Sequence, residues 1–352
     1  MAEKEHKHRW ILRAIVLVAL VAGMATLAPK LASLRDVGRI VHDLRWSLLA
    51  AAVAAQIASY LAHGYTIYSV AELAGDHIPY GRSAMIGIAA GSVGLLAGGP
   101  VGDATAIIHW VKRAGGTPEG AVLCGWLPAL LNAAALIVLA LLGLVILLMR
   151  HLLSHSELAK VAMLSLPVLV FVAGIAWVMA TEKNLRRFVH FVQGMKARVM
   201  RHPPDPRELD ERVSGIANAR RLLFRHGGWR GPVAGTMANA AFDIVTLQSL
   251  FLAAGSHPKF AVLIAGYGLP QVLARTAVFV PSGVGLVEGG MVGLYKALGE
   301  HTATAVLVVL AYRVLSFWAP TLIGAPVAVV LQRSTRKREQ TERVLKSRST
   351  SV

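Results

Sequence analysis

Long apolar stretches dominate the chain and are separated by short polar linkers. A helix needs about 20 apolar residues to cross a hydrocarbon core of about 30 Å. Six stretches meet this requirement and predict transmembrane helices near 11–28, 46–73, 119–149, 160–181, 229–254 and 302–331. The pattern therefore predicts an all-α, polytopic transmembrane helix bundle.

Two further apolar regions, 83–116 and 259–299, are interrupted by glycine and proline, as in LLAGGPVGDATAIIHW and FVPSGVGLVEGGMVGLY. Irregular backbone survives at membrane depth only where protein or a water-filled cavity satisfies its polar groups. We therefore expect each region to form a Gly/Pro-broken helix or a re-entrant hairpin that enters and leaves the membrane on one side.

Composition agrees with a membrane protein and changes the meaning of the charge. Only 16% of the 352 residues are charged, against about 25% in an ordinary soluble domain, and the mean hydropathy is +0.57. These values exclude a soluble enzyme and a disordered chain. The net charge of +17 would suggest nucleic acid on a soluble protein. In a membrane protein it sets the orientation, because cytoplasmic loops collect Lys and Arg.

With the N-terminus inside, the basic N-terminal segment, the loop 183–230 and the tail after Arg333 all face the cytoplasm. Both termini are therefore predicted to be cytoplasmic, and no nucleic-acid partner is expected. The basic start followed by an apolar stretch from 14 to 28 also fits a signal peptide. Because many further spans follow it, we expect an uncleaved first helix.

The sequence offers no metal or cofactor site. Its one cysteine, Cys124, cannot close an intramolecular disulfide or supply a cysteine metal site. The 13 histidines lack metal-ligand spacing.

Similar features recur at a spacing of about 180 residues. Trp46 and Trp229 open long apolar spans, and Ala-Gly-Asp-His at 74–77 corresponds to Ala-Gly-Ser-His at 254–257. Because the extra span 160–181 makes the number of intervening crossings odd, the copies would run in opposite directions, as in many secondary transporters with inverted-topology repeats. The predicted units are an N-terminal segment with the first helix (1–45), a first repeat (46–149), a connecting helix (150–181), a basic cytoplasmic loop (182–228), a second repeat (229–331) and a basic cytoplasmic tail (332–352).

Ionisable residues inside the predicted membrane segments are candidates for function, because each costs at least ~2.5–3.5 kcal/mol on insertion scales. We predict an ion pair between Glu288 and Arg313, and Asp243 with Arg275 is a candidate for a second pair. The competing interpretation is that such pairs only hold helices together. The complete set is Asp103, Asp243, Arg275, Glu288 and Arg313.

Glycines near Glu288 leave backbone amides unshielded, and the N-termini of half-helices favour anions. We therefore expect a phosphate headgroup to approach Arg313 and these amides. Glu288 would be neutralised by Arg313 or protonated. No nucleotide-binding loop, paired catalytic acids or Ser/His/Asp grouping is present in the sequence, so we do not expect an enzyme.

The segment VFVPSGVGLVEGGMVGLYKALGEHTATAVLVVLAYRVLSFWAPTLIGAPV resembles the C-terminal signature of the lysylphosphatidylglycerol synthetase transmembrane-region family, also described as flippase-like or UPF0104. Two departures are visible: Gly283-Val284-Gly285 replaces a double glycine, and the first break, AGGPVGDA, lacks an Arg and a Glu and has only Asp103. The matching residues are Pro281, Ser282, Gly283, Gly285, Glu288, Leu298, Gly299, Tyr312 and Arg313.

The resemblance implies a multi-pass domain that moves or presents lipid headgroups. In the lysyl-lipid synthases this domain precedes a soluble aminoacyl-transfer domain, and the stretch after Arg333 is too short for one. We therefore expect a non-enzymatic, flippase-like transporter of the bacterial cytoplasmic membrane. Its substrate would be an anionic or aminoacylated phospholipid, or a polyprenyl-linked lipid. The expected substrate-binding residues are Glu288, Arg313, Arg275, Asp243, Asp103, Pro281, Ser282, Gly283 and Gly285.

Two alternatives remain at this point. The chain could be a membrane scaffold or accessory subunit that holds a lipid-modifying enzyme through the loop 182–228. It could also be an integral-membrane transferase, which is disfavoured because no second acidic residue lies beside Glu288 in the sequence and no nucleotide motif is present.

Overall fold

A computed structural model describes residues 45–96, 100–149, 228–276 and 285–333, together with residues 181, 183, 184 and 187. The predicted helices 11–28 and 160–181, most of the loop 182–228, the tail and the break at Pro281 to Gly283 lie outside the described residues. Within these ranges all regular structure is helical and no strand occurs. The all-α prediction is confirmed for this part of the chain.

Within the ranges 45–149 and 228–333, the described helices form two runs of four, one on each side of residues 150–227. α1, α4, α5 and the continuous helix that contains α8 are long and apolar enough to cross a membrane, which confirms four of the predicted spans. The last of these passes through a π-helical segment, Val314–Trp318, and ends at Arg333. The bounds are α1 Trp46–Leu73, α2 Tyr80–Leu96, α3 Pro100–Arg113, α4 Pro118–Met149, α5 Arg230–Ala253, α6 Phe260–Thr276, α7 Leu286–Ala297 and α8 Thr302–Arg313.

The two runs match in the length of two helix pairs and in turn geometry. α2 and α6 both have 17 residues, and α4 and the continuous helix 302–333 both have 32. The turn after α1 has Gly75 at φ +81°, and the turn after α5 has Gly255 at φ +77°. In each turn the next residue donates its backbone N–H to a carbonyl five residues earlier, at 2.9 Å. Both turns require a residue in the left-handed backbone conformation, which glycine adopts without a Cβ clash.

α1 and α5 form the most extensive helix–helix contact in the described structure. Gln56 lies against Asp243, and further along α1 Thr66 lies against Gly235. As the residue number rises along α1 it falls along α5, so the two helices are antiparallel. A Cβ at Gly235 would lie 2.6 Å from Thr66 Oγ1. Small residues allow this kind of close approach between membrane helices.

The antiparallel contact between α4 and α6 also depends on small residues. A Cβ at Gly143 would lie 2.7 Å from the Cα atom of Ala265, and a Cβ at Gly268 would lie 2.7 Å from the backbone nitrogen of Ala140. Through these contacts α4 of the first run holds α6 of the second.

The substitution Gly268→Ala should therefore separate α4 from α6, because the new methyl group would meet backbone that cannot rotate away. We expect a loss of about 1–3 kcal/mol of stability, measured as a lower unfolding temperature in detergent. The matched control is Gly91→Ala in α2, where an added Cβ meets no atom within 4 Å. Equal unfolding temperatures for the two variants would contradict this packing.

Candidate functional site

A buried ion pair joins α7 to the end of α8. Arg313 Nε donates to Glu288 Oε1 at 2.6 Å, and the two residues are only 6% and 8% exposed. The predicted pairing of Glu288 with Arg313 is therefore confirmed. At this degree of burial the two charges can coexist only as partners, because a single buried charge carries a large desolvation cost.

The second oxygen of Glu288 is held by the start of its own helix. The backbone N–H of Gly285 donates to Glu288 Oε2 at 2.6 Å, which is the contact that an N3 glutamate makes in a capping box. Gly285 has φ +85°, a conformation that favours glycine. The carboxylate therefore stabilises the positive N-terminal end of α7 and orients the arginine at the same time.

The guanidinium group of Arg313 has a second fixed contact and one open position. Its central carbon lies 4.3 Å from the ring centroid of Phe317, in cation–π geometry. Its Nη2 atom is buried and has no hydrogen-bond partner among the residues that the structure describes. A buried donor without a partner is costly, and an anion at this position would satisfy it.

The π-helical segment Val314–Trp318 directly follows Arg313. The hydroxyl group of Tyr60, on α1, donates to the carbonyl of Leu315 within this segment. π-helical turns frequently occur at functional sites. Here the turn brings Phe317 beside the guanidinium group and links α8 to α1.

A second polar cluster, the Asp243 cluster, lies between α1, α5 and α6. Gln56 Nε2 and Ser59 Oγ donate to Asp243 Oδ1 at 3.0 and 2.6 Å. The hydroxyl group of Tyr267 donates to Asp243 Oδ2 at 2.9 Å, and Asn239 Nδ2 donates to Ser59 Oγ at 2.8 Å. From the sequence, Asp243 was expected to pair with Arg275, and these neutral partners were not predicted. Gln56 and Ser59 are polar residues one helical turn apart in an apolar span, and this spacing could have indicated the partners of Asp243.

Of the remaining predicted site residues, Asp103 lies in the first turn of α3, as Glu288 does in α7. Gly115 and Gly299 are 184 residues apart. At the same spacing, the position in the first run that corresponds to Arg313 is Ala129. The first run therefore has an acid at the corresponding helix start but no matching arginine.

Arg275 lies in the last turn of α6, and its side chain is outside the described residues, as are Pro281, Ser282 and Gly283. The pair of Arg275 with Asp243 therefore stays a prediction. In the described ranges no group of three or more His, Cys, Asp or Glu residues could hold a metal ion.

Helices of membrane-spanning length around a buried ion pair define a polytopic α-helical membrane protein. Residues 11–324 match the family described as the lysylphosphatidylglycerol synthase TM region, and the chain belongs to this family. It is also 33% identical over 82 residues to the UPF0104 membrane protein PH1989 of Pyrococcus horikoshii, over 23% of this chain and 24% of that protein. The match thus spans about a quarter of the curated relative. The family resemblance noted from the second break is confirmed.

Removing one member of the ion pair should cost more than removing both. Glu288→Gln or Arg313→Gln alone leaves one uncompensated buried charge, and we expect losses on the order of 3–5 kcal/mol. The double variant should lose clearly less than the sum of the two single variants. A thermal or denaturant unfolding series in detergent measures this coupling.

The control is Lys296→Gln, which removes an exposed charge from α7 and should change stability by less than about 0.5 kcal/mol. Additive losses for Glu288→Gln and Arg313→Gln would contradict a coupled pair.

Proposed function

We propose that this protein is a non-enzymatic, flippase-like transporter that moves or presents the headgroup of a phospholipid or polyprenyl-linked lipid across the bacterial cytoplasmic membrane. The observation that carries the proposal is the buried Arg313, which is paired to Glu288 and retains a donor nitrogen without a partner in the described structure. Family membership supports a role at the membrane. The lipid and the transport activity belong to the proposal.

The chemistry of the site suits a phosphate group. Arginine presents a planar fork of donors that matches phosphate oxygens, and the positive end of a helix favours negative charge. Glu288 already occupies one guanidinium nitrogen and the Gly285 amide. A lipid phosphate would therefore bind through Nη2, which has no partner in the described structure, and a positively charged amine on an aminoacylated lipid would be attracted to Glu288.

The helix arrangement supports an inverted-topology repeat with a hairpin in each half. α1 and α5 occupy corresponding places in the two runs and are antiparallel, as two such copies would be. α2 with α3, and α6 with α7, are too short to cross the membrane singly as typical spans. We propose that each pair is a re-entrant hairpin and that together they enclose the lipid-headgroup path. Paired interrupted segments mark substrate sites in transporters of this kind.

Inverted topology predicts that corresponding turns lie on opposite faces of the membrane. His77 and His257 are equivalent exposed positions in the turns after α1 and α5. In a Cys124→Ala background, we expect a membrane-impermeant maleimide to label His257→Cys in intact cells. It should label His77→Cys only after permeabilisation. Labelling of both positions from the same side would contradict the inverted repeat.

The lipid function predicts that Arg313→Lys slows transport while leaving the ion pair in place. Lysine keeps the charge that faces Glu288 but lacks the planar fork. Loss of charge-assisted hydrogen bonds worth about 1.5–3 kcal/mol corresponds to a roughly 10- to 100-fold slower rate. The measurement is the movement of fluorescent lipids in proteoliposomes, with phosphatidylglycerol, a lysyl-phospholipid and a polyprenyl phosphate tested separately.

The reciprocal change Lys296→Arg, at an exposed position of α7, is the matched control and should leave the rate unchanged. If the wild-type protein moves none of the three lipids, the transporter proposal fails and the result supports the scaffold hypothesis. Chemical turnover of a lipid by the purified protein would instead indicate a transferase.

A further inference from the structure

The Asp243 cluster poses a charge problem that the Glu288–Arg313 pair does not. Asp243 accepts hydrogen bonds from Gln56, Ser59 and Tyr267. These three donors are neutral side chains, and each is at least 97% buried. They satisfy the hydrogen-bonding capacity of the carboxyl group without compensating a negative charge.

Among the side chains that the structure describes, the helices packed around Asp243 contribute phenols rather than cations, and the side chain of Arg275 on α6 lies outside this set. Tyr60 on α1 and Tyr312 on α8 lie close enough to interact electrostatically with Asp243, and Tyr267 comes from α6. Arg313 on α8 is engaged with Glu288. α4, which also packs on α5, has Glu119 as its one acidic residue, in the first turn.

An ionised carboxylate inside a membrane span is costly when all its described hydrogen-bond donors are neutral. Two ways of removing the charge are compatible with this cluster, namely binding a proton and binding a small metal cation. The geometry discriminates between them. A metal cation needs several oxygen lone pairs directed at one point, whereas here the donor hydrogens of Gln56, Ser59 and Tyr267 are directed at the carboxyl group.

Binding of a proton requires only one additional hydrogen-bond acceptor beside the carboxyl group, and the Gln56 side chain provides one. Its Oε1 atom is buried and has no hydrogen-bond partner in the described part of the chain. The amide groups of glutamine carry both donors and an acceptor, and the Gln56 amide already contacts Asp243. Rotation of this amide by half a turn would replace the donor with Oε1, which could then accept the O–H of a protonated Asp243.

We propose that Asp243 is a proton-binding site at the antiparallel α1–α5 contact, with the Gln56 amide serving both protonation states. Uptake of one proton from water converts the carboxylate to a neutral acid, and its release reverses the step with no other bond changed. Because the site lies where the two runs of helices meet, protonation changes the strength of their contact. Coupling of that change to lipid movement rests on the function proposed above, but the proton site does not.

The test is infrared difference spectroscopy of the full-length protein in lipid nanodiscs over a pH series. We expect the carbonyl stretch of a protonated carboxylic acid to be present at pH 7, where an exposed aspartate is ionised. This band should be absent in Asp243→Asn and retained in Glu288→Gln, a control that removes a buried acid already paired with a cation. No lipid transport is measured, so failure of this proposal and failure of the transporter proposal are distinguishable.

Gln56→Leu and Ser59→Ala provide a second route if Asp243→Asn does not fold. Each removes one hydrogen-bond partner, so each should shift the frequency of the acid band. A band that neither substitution moves would overturn the assignment to Asp243. Replacing an organic cation in the buffer by sodium should leave the band unchanged.

Loss of the band on addition of sodium would show that the site binds a metal cation and would overturn the proposal. Absence of the band in the wild type at pH 7 would also overturn it, by showing that Asp243 is ionised. That result would favour the pair with Arg275.

Discussion

The cost of an uncompensated charge at membrane depth is the constraint on which this structure depends. It is met in two ways. Glu288 and Arg313 compensate each other directly, and the carboxylate also uses its second oxygen to hold the backbone N–H of Gly285. Asp243 is surrounded by neutral donors from two other helices. The first arrangement keeps a permanent charge at a fixed position, whereas the second suits a carboxyl group whose charge changes.

The contact between α1 and α5 determines where these polar groups can lie. Ser59 and Asn239 are 180 residues apart, the same spacing that separates Gly75 from Gly255, and they bond directly to each other. The antiparallel helices therefore meet at positions that share this spacing. Asp243 lies one turn beyond Asn239, so any change in its charge acts at this meeting point. The runs are not equivalent in chemistry, because the position that corresponds to Arg313 is Ala129.

Features that depend on the local sequence could be predicted from the sequence alone. Apolar length predicted α1, α4, α5 and the helix that ends at Arg333. The recurring Ala-Gly motif at 74–77 and 254–257 falls at two turns that have matching shape in the structure. The Glu288–Arg313 pair was predictable because two opposite charges in neighbouring apolar segments have few other partners. The partners of Asp243 were not, because Gln56, Ser59 and Tyr267 are neutral residues whose approach depends on how α1, α5 and α6 pack. Neither the π-helical turn nor the cation–π contact of Phe317 has a sequence signal of comparable strength.

The geometry around Arg313 explains why a binding group would be fixed so firmly within the fold. An unrestrained arginine loses about 2 kcal/mol of side-chain entropy when it is ordered, and a ligand that had to order it would bind more weakly. Here Glu288 fixes Nε, the ring of Phe317 lies beside the guanidinium group, and Tyr60 bonds the π-helical turn that positions Phe317. Folding has therefore already ordered the side chain. The Nη2 atom is the part of the group left for a partner from outside the described structure, and its direction is set before any ligand arrives.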